Sequence, residues 1–189
     1  MIKSKDDYKF YLQADKEALN IKRKFPRPII DDIWKFEKIL RKLEYYHNCK
    51  NKGIFKIYIL ALKFKFHRLS QKLGFDIPIN VFGPGLSIAH RGTIVVNGNA
   101  KVGKNCRIHV CTNIGTAYDT KSEVPTLGDN VYIGPGAKIF GSIEIANGVA
   151  IGANSVVSKS FLEPNITIAG VPAKKISNKS TVELLFKMD

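Results

Sequence analysis

A six-residue repeat in the second half of the chain constrains the fold more than any other feature of its 189 residues. Aliphatic side chains recur at every sixth position in two series, which are Val96, Val102, Ile108 and Ile114, and then Leu127, Ile133, Ile139, Ile145, Ile151 and Val157. A period of six is neither that of a helix nor the simple alternation of a hairpin strand. It predicts a parallel β-helix, in which short strands meet at tight corners and three repeats complete one triangular coil. Residues about 18 positions apart are then expected to stack on one another.

The repeat is interrupted between Ile114 and Leu127, which lie 13 positions apart, one more than two repeats. The residues 116–125, TAYDTKSEVP, are mostly polar, and we expect them to form a loop outside the coils. Loops on rigid scaffolds often build substrate pockets. The alternative is a tolerated surface insertion without a function.

The first 75 residues carry a different pattern, that of α-helices. Ser4, followed by two acidic residues, predicts a helix that runs to about Asn20, and Asp31 or Asp32 begins a second helix. A third helical stretch follows at 54–75. The second helix has one apolar face, formed by Ile33, Phe36, Ile39, Leu40, Leu43 and Tyr46.

The chain is expected to contain an N-terminal helical segment at 1–75, a β-helix domain at 76–176 and a C-terminal tail at 177–189. Most of the net charge of +14 lies in the helical segment, which has 19 basic and 8 acidic residues. Such a charge suggests nucleic acid as a partner, but no recognised nucleic-acid-binding motif is present, so none is expected. The favoured interpretation is that the helices pack on the β-helix and leave their lysines in water. The alternative is peripheral membrane association, because the third helical stretch mixes aromatic residues with lysines.

The N-terminal residues and the cysteines bear on the location of the protein. The start, MIKSKDDYKF, has no apolar run after its lysines, so a secretory signal peptide is not expected. Cys49, Cys106 and Cys111 are odd in number and lack a CxxC spacing, which disfavours a disulfide framework and a zinc site. We therefore predict a cytoplasmic protein with reduced cysteines and no metal, at the inner face of the membrane if the lipid alternative holds.

Three stretches resemble a known family. They are AHRGTIVVNGNAKVGKNCRIHVCTNIGT at 89–116, GDNVYIGPGAKIFGSIEIANGVAIGANSVV at 128–157 and AGVPAKKI at 169–176. The chain resembles the hexapeptide-repeat acyltransferases, and within them the serine acetyltransferase-like branch, over roughly residues 76–176. The resemblance implies a left-handed β-helix, a homotrimer with sites between neighbouring β-helices, acetyl-CoA as donor and a hydroxyl as acceptor. It also implies that the helices are a shortened form of the N-terminal domain of serine acetyltransferases.

Two residues match the catalytic pair of that family. Acetyl transfer to a hydroxyl needs a base, and a neutral imidazole suits this role at cellular pH. His90 matches the catalytic histidine, and Asp76 matches the aspartate that orients it, at a spacing one residue shorter. Without the resemblance, His90 is a histidine capping an irregular first coil, and Asp76 is a turn former. The other histidines are expected to be non-catalytic, with His109 pointing outward after the inward Ile108.

The acceptor-binding positions depart from the family pattern. Ala89 stands where serine acetyltransferases have an aspartate, and Glu123 and Val124 stand where they have an arginine and a histidine before a proline. A carboxylate repels the serine carboxylate, and valine cannot donate a hydrogen bond to it. The residues therefore predict acetylation of a different hydroxyl. The resemblance implies that this hydroxyl belongs to a sugar, because related short proteins O-acetylate sugars of surface polysaccharides. The alternatives are serine O-acetylation and a non-catalytic β-helix scaffold.

The resemblance also implies a site for acetyl-CoA. Gly134, Pro135 and Ala153 would contact the pantetheine arm along the coils. Lys174 and Lys175 in the GVPAKKI motif would meet the phosphates, and their alternative role is that of two solvated lysines.

Overall fold

Three α-helices precede a stack of short strands in the computed structural model, which describes residues 1–117 and 123–181. The helices are α1 (Lys5–Ala18), α2 (Asp32–Cys49) and α3 (Phe55–Leu73). Residues 118–122 of the predicted loop and 182–189 of the predicted tail lie outside the described residues. Within the described part, no helix is long and apolar enough to cross a membrane.

The strands form three faces of a triangular prism, and the chain visits faces B, C and A in turn. Face A contains β1 (Phe75–Asp76), β3 (Ile94–Val96), β6 (Thr112–Gly115), β9 (Lys138–Phe140) and β12 (Val156–Val157). Face B contains β4 (Lys101–Val102), β7 (Thr126–Leu127) and β10 (Glu144–Ile145). Face C contains β2 (Ser87–Ile88), β5 (Arg107–Ile108), β8 (Tyr132–Ile133), β11 (Ala150–Ile151), β13 (Thr167–Gly170) and β14 (Ala173–Ser177). Neighbouring strands are parallel, except that β14 pairs antiparallel with β13.

The predicted stacking of residues is observed away from the loop and is shifted across it. Ile94 pairs with Thr112, 18 positions further along the chain. Ile114 pairs with Ile139, 25 positions further, which is seven more than the 18 of an ordinary coil. The aliphatic residues of the repeat are at most 5% exposed, and burial of each contributes roughly 1.5–3 kcal/mol. The predicted parallel β-helix is therefore confirmed.

Asparagine residues allow the tight corners between face B and face C. Asn105, Asn130 and Asn165 have φ angles of +54°, +57° and +59°. This left-handed region is costly for most side chains, but asparagine tolerates it better than other residues with a Cβ atom. Successive coils therefore turn at the same edge of the prism.

The buried face of α2 differs from the predicted one. Ile33 and Ile39 are only half-buried, whereas Glu37, Arg41 and Glu44 are at most 1% exposed. Charged side chains are rarely buried without partners, because removing a charge from water is costly. The predicted apolar face exists, but it also carries three ionisable side chains that meet the first coil.

A buried ion cluster of Asp15, Arg41 and Glu44, here called the Arg41 cluster, joins the helices to that coil. Arg41 donates from Nε to Asp15 at 2.7 Å and from Nη1 to Glu44 at 3.0 Å. The same guanidinium donates to the carbonyl oxygens of Phe82 and Gly83, at 2.9 and 2.7 Å. The helical segment thus supplies hydrogen-bond donors to backbone carbonyls at the open end of the β-helix.

The carboxylates of the cluster bind backbone N–H groups of the same coil. Asp15 accepts from the N–H groups of Gly85 and Leu86, both at 2.9 Å. Glu44 accepts from the N–H of Asn80 at 2.7 Å. Because each member of the cluster also contacts the coil, the cluster fixes the position of the segment that leads into β2.

The outer face of α3 remains in solvent. Ile57, Leu60 and Phe64 are exposed, and Lys63 and Lys65 lie beside them. Association of this surface with anionic lipid stays a prediction.

Candidate active site

His90 lies at the corner between face C and face A, in the segment that joins β2 to β3. Before this corner, the N–H of Ile88 donates to the Glu37 carboxylate at 3.2 Å. After it, the N–H of Gly92 donates to the carbonyl oxygen of Leu73 at 3.0 Å. The backbone on both sides of His90 is therefore anchored by hydrogen bonds to the helical segment, and the His90 side chain is exposed.

Glu37, the first of these anchors, is fully buried. Burial raises the pKa of Glu37 well above its ordinary value, and the nearby charge of Asp15 raises it further. Its Oε2 atom has no hydrogen-bond partner among the described residues. A neutral carboxyl group suits this position, because an isolated buried charge is costly.

His109 is the neighbour of His90 on the next coil. The ring centroids of His90 and His109 are 5.9 Å apart, and the Tyr132 ring lies 5.1 Å beyond His109. The Nε2 atom of His109 is buried and has no hydrogen-bond partner in residues 1–117 and 123–181. The predicted outward direction of His109 fits this position, but the proximity of the two imidazoles was not predicted from the sequence. Face C brings them together because Ser87 pairs with Arg107, 20 positions away.

His109 is held in its neutral form. Burial lowers the pKa of His109, and the positive charges of Arg107 and His90 lower it further. Since an ordinary histidine titrates near pH 6.5, His109 is neutral at pH 7.

The Arg107→Gln variant is expected to raise the pKa of His109, because it removes a positive charge that disfavours the imidazolium. The His90→Ala variant is expected to change the pKa in the same direction. Titration of the imidazole signals by NMR measures both shifts. A His109 that titrates at or above the ordinary histidine value in the wild-type protein would contradict this electrostatic description.

Asp76 forms no hydrogen bond or ion pair with His90 in the structure. It lies in β1, its side chain is exposed, and its register partner in β3 is Val95. No hydrogen bond or ion pair joins its carboxylate to any residue that the structure describes. The preceding Phe75 occupies the inward position of β1, so Asp76 faces outward on face A. Its predicted role in orienting His90 stays a prediction.

The predicted acceptor-binding residues are divided between two corners of the prism. Ala89 is half-buried next to His90, and its N–H donates to the carbonyl oxygen of Ile108 at 3.0 Å. The exposed Glu123 and the half-buried Val124 precede β7, at the corner between face A and face B. One chain therefore does not bring these two residues to His90.

The predicted pantetheine contacts lie on adjacent coils. The N–H of Gly134 donates to the carbonyl oxygen of Ile151 at 2.8 Å, so this group is already used. A Cβ atom on Gly134 would lie 2.8 Å from the backbone nitrogen of Ala153, which shows how closely the coils approach. Pro135 and Ala153 are exposed, and in the described residues the Ala153 N–H makes no hydrogen bond. Of the three, Pro135 and Ala153 are thus accessible to a ligand.

The two predicted phosphate-binding lysines differ in their surroundings. Both side chains are exposed on β14. Lys175 forms an ion pair with Glu163 at 2.5 Å, whereas Lys174 has no ion pair among the described residues. Lys174 is therefore the freer charge for a phosphate. No group of three His, Cys, Asp or Glu side chains that could hold a metal ion occurs in the described part of the chain.

The sequence of this chain is similar to those of known transferases. Residues 125–159 match the family described as bacterial transferase hexapeptide (six repeats). The serine acetyltransferase of Buchnera aphidicola is 37% identical over 126 residues, which cover 65% of this chain and 48% of that protein. The chain thus spans about half the length of this curated relative.

Solved structures extend the similarity to the helical segment. A Brucella abortus serine acetyltransferase in complex with coenzyme A has a TM-score of 0.73 and 25% identity, and the match covers 93% of this chain and 70% of that one. A soybean serine acetyltransferase complexed with serine has a TM-score of 0.72 and 25% identity, with coverage of 90% and 70%.

These similarities confirm the predicted resemblance to hexapeptide-repeat acyltransferases and the predicted left-handed β-helix with its N-terminal helical segment. The prediction of a sugar acceptor is wrong, because the curated relatives and solved structures that the chain matches are serine acetyltransferases. It rested on Ala89, which directly precedes His90, and on Glu123 and Val124, which lie at a different corner of the same chain. The chain carries the hexapeptide repeats of bacterial transferases on a left-handed β-helix, and it is similar to serine acetyltransferases in both its helical and its β-helical part.

Proposed function

We propose that this protein is an acetyl-CoA-dependent acyltransferase that transfers an acetyl group to the hydroxyl of L-serine. The observation that carries the proposal is the exposed His90 imidazole, held at a corner of the β-helix beside the neutral His109. Matched relatives bound to coenzyme A and to serine support the choice of donor and acceptor.

His90 acts as the general base in this reaction. Its imidazole removes the proton from the serine hydroxyl as the oxygen attacks the thioester carbonyl carbon of acetyl-CoA. The carbon–sulfur bond then breaks, and the imidazolium returns the proton to the departing CoA thiolate. The products are O-acetylserine and CoA, with no other reactant consumed.

Acetyl-CoA is proposed to bind along the surface formed by the adjacent coils. The free N–H of Ala153 can donate to a carbonyl of the pantetheine arm, and the exposed Pro135 can pack against it. Lys174 can meet a phosphate of the nucleotide end, because no carboxylate of the described residues pairs with it. Gly134 allows the close approach of the two coils along which the pantetheine arm would lie.

The active form is proposed to be a homotrimer. His90 lies at the corner between faces C and A, whereas Glu123 and Val124 lie at the corner between faces A and B. In a three-fold arrangement of prisms, the first corner of each copy can meet the second corner of the next. The loop of one copy would then complete the site around His90 of another.

Release of CoA from acetyl-CoA tests the proposed function. The purified full-length chain is expected to release CoA in the presence of L-serine well above the hydrolysis rate measured without acceptor. Sugars such as N-acetylglucosamine serve as comparison acceptors and are expected to give only the background rate. Absence of L-serine-dependent release would contradict the proposal, and absence of any acetyl-CoA binding by calorimetry would favour a non-catalytic scaffold.

A further inference from the structure

Arg107 carries a positive charge without a counter-ion on the outward side of face C. It is half-buried, and no carboxylate of the described residues lies within ion-pair distance of its guanidinium. The other two arginines that are not exposed have such partners, since Arg23 pairs with Asp31 and Arg41 with Asp15. A half-buried guanidinium without an anion is a typical site for an anionic ligand group.

The side chain of Arg107 extends toward the coil that carries His90. Its Nη1 donates to the Ser87 hydroxyl at 3.0 Å, and Ser87 lies three residues before His90. His109 projects from the same side of the strand as Arg107, two residues further along. Arg107, His109 and His90 therefore lie on one side of the prism, at the end of face C.

We infer that Arg107 binds the carboxylate of the amino-acid acceptor. A guanidinium offers five N–H donors in a planar fork that matches a carboxylate. Because the Ser87 hydroxyl uses one nitrogen, the remaining donors are available. This inference rests on the proposed function, and it assigns the carboxylate of L-serine to a residue of the coils.

The position of Arg107 explains how an amino acid can be bound without a basic loop. Glu123 and Val124 cannot hold a carboxylate, since one is acidic and the other apolar. In L-serine the carboxylate and the hydroxyl are separated by only two carbon atoms. A carboxylate held at Arg107 would therefore leave the hydroxyl near this guanidinium, on the side of the prism that carries the His90 and His109 imidazoles.

The Arg107→Gln variant tests the inference. Loss of a charge-assisted hydrogen bond is expected to raise the KM for L-serine about 10- to 100-fold, with the KM for acetyl-CoA unchanged. L-Serinamide, which has a neutral amide in place of the carboxylate, is the comparison acceptor. The wild-type preference for L-serine over L-serinamide should be lost in Arg107→Gln and partly kept in Arg107→Lys, which retains the charge without the fork.

The matched control is Arg91→Gln. Arg91 follows His90 directly, but its guanidinium turns toward the helices, where it donates to the carbonyl oxygen of Ile30 at 3.4 Å and lies 3.7 Å from the Asp32 carboxylate. This variant is expected to keep the wild-type KM for L-serine. Melting curves of all variants show whether they are folded.

Other results overturn the inference in distinguishable ways. A higher KM for acetyl-CoA with an unchanged KM for L-serine assigns Arg107 to a CoA phosphate. Dissociation of the oligomer in Arg107→Gln with both KM values unchanged assigns it to a carboxylate of a second copy. An Arg107→Gln enzyme with wild-type values and assembly leaves the residue without a binding role.

Calorimetry with L-serine separates this inference from the proposed function. Binding that requires Arg107, without acetylation by the wild type, supports the carboxylate site and overturns the proposed function. Acetylation of L-serine with an unchanged KM for L-serine in Arg107→Gln supports the proposed function and overturns the carboxylate site. Neither binding nor acetylation of L-serine by the wild type overturns both.

Discussion

The Arg41→Met variant is expected to lose about 3–5 kcal/mol of unfolding free energy, the usual result of removing one partner from a buried ion pair. Arg41 is completely buried, and its loss leaves the carboxylates of Asp15 and Glu44 without their cation. The carbonyl oxygens of Phe82 and Gly83 lose their donor in the same variant. Urea denaturation followed by circular dichroism measures the change.

Two further variants make this prediction decisive. Arg68→Met removes an exposed arginine from α3 and is expected to change stability by less than about 0.5 kcal/mol. Arg41→Lys keeps the charge but cannot reach all four acceptors, so its loss should be intermediate and measurable even if Arg41→Met fails to fold. A loss in Arg41→Lys no larger than that in Arg68→Met would show that the Arg41 cluster does not hold the helices to the first coil.

The His90→Ala variant is expected to lower kcat about a hundredfold or more, which is the usual contribution of a general base. The side chain is exposed, so its removal should leave stability unchanged and affect the reaction alone. Steady-state release of CoA with L-serine measures the effect.

His67→Ala is the matched control for this change. His67 is an exposed histidine on α3, and its removal is expected to leave kcat unchanged. A His90→Ala enzyme with wild-type turnover would contradict the assignment of His90 as the base.

The β-helix could be predicted from the sequence because its determinants are local and periodic. Each strand from β3 to β12 contributes a buried aliphatic residue, such as Ile108 in β5 and Ile133 in β8, and this signal repeats along the chain. The position of the loop could also be predicted, because the repeat is interrupted between Ile114 and Leu127. Its length could not, because a spacing of 13 reads as two repeats plus one residue, whereas the pairing of Ile114 with Ile139 contains seven residues beyond the ordinary 18.

The neighbours of His90 could not be predicted in the same way. A strict 18-residue repeat places His109 over Arg91, whereas the first coil is longer and Ser87 pairs with Arg107 at a separation of 20. With this register His109 stacks over Ala89, the neighbour of His90. The two additional residues of the first coil have no periodic signal in the sequence.

The charged face of α2 was missed for a different reason. Glu37, Arg41 and Glu44 follow the same helical spacing as the apolar residues, so they could have been recognised as facing inward. Their backbone partners, however, lie between 36 and 51 residues away in the first coil, and composition favours solvent for charged side chains. The acceptor prediction is contradicted by the serine acetyltransferase relatives, so the identities of Ala89, Glu123 and Val124 are not sufficient to identify the acceptor.

Identification of the product is the decisive test of L-serine acetylation with His90 as the base. The full-length protein is incubated with acetyl-CoA and L-serine, and the mixture is analysed by mass spectrometry, with the His90→Ala variant in parallel. We predict O-acetylserine in an amount equal to the CoA released by the wild-type protein, and almost none with the His90→Ala variant. Absence of acetylated serine with the wild-type protein, or equal amounts with both proteins, would contradict it.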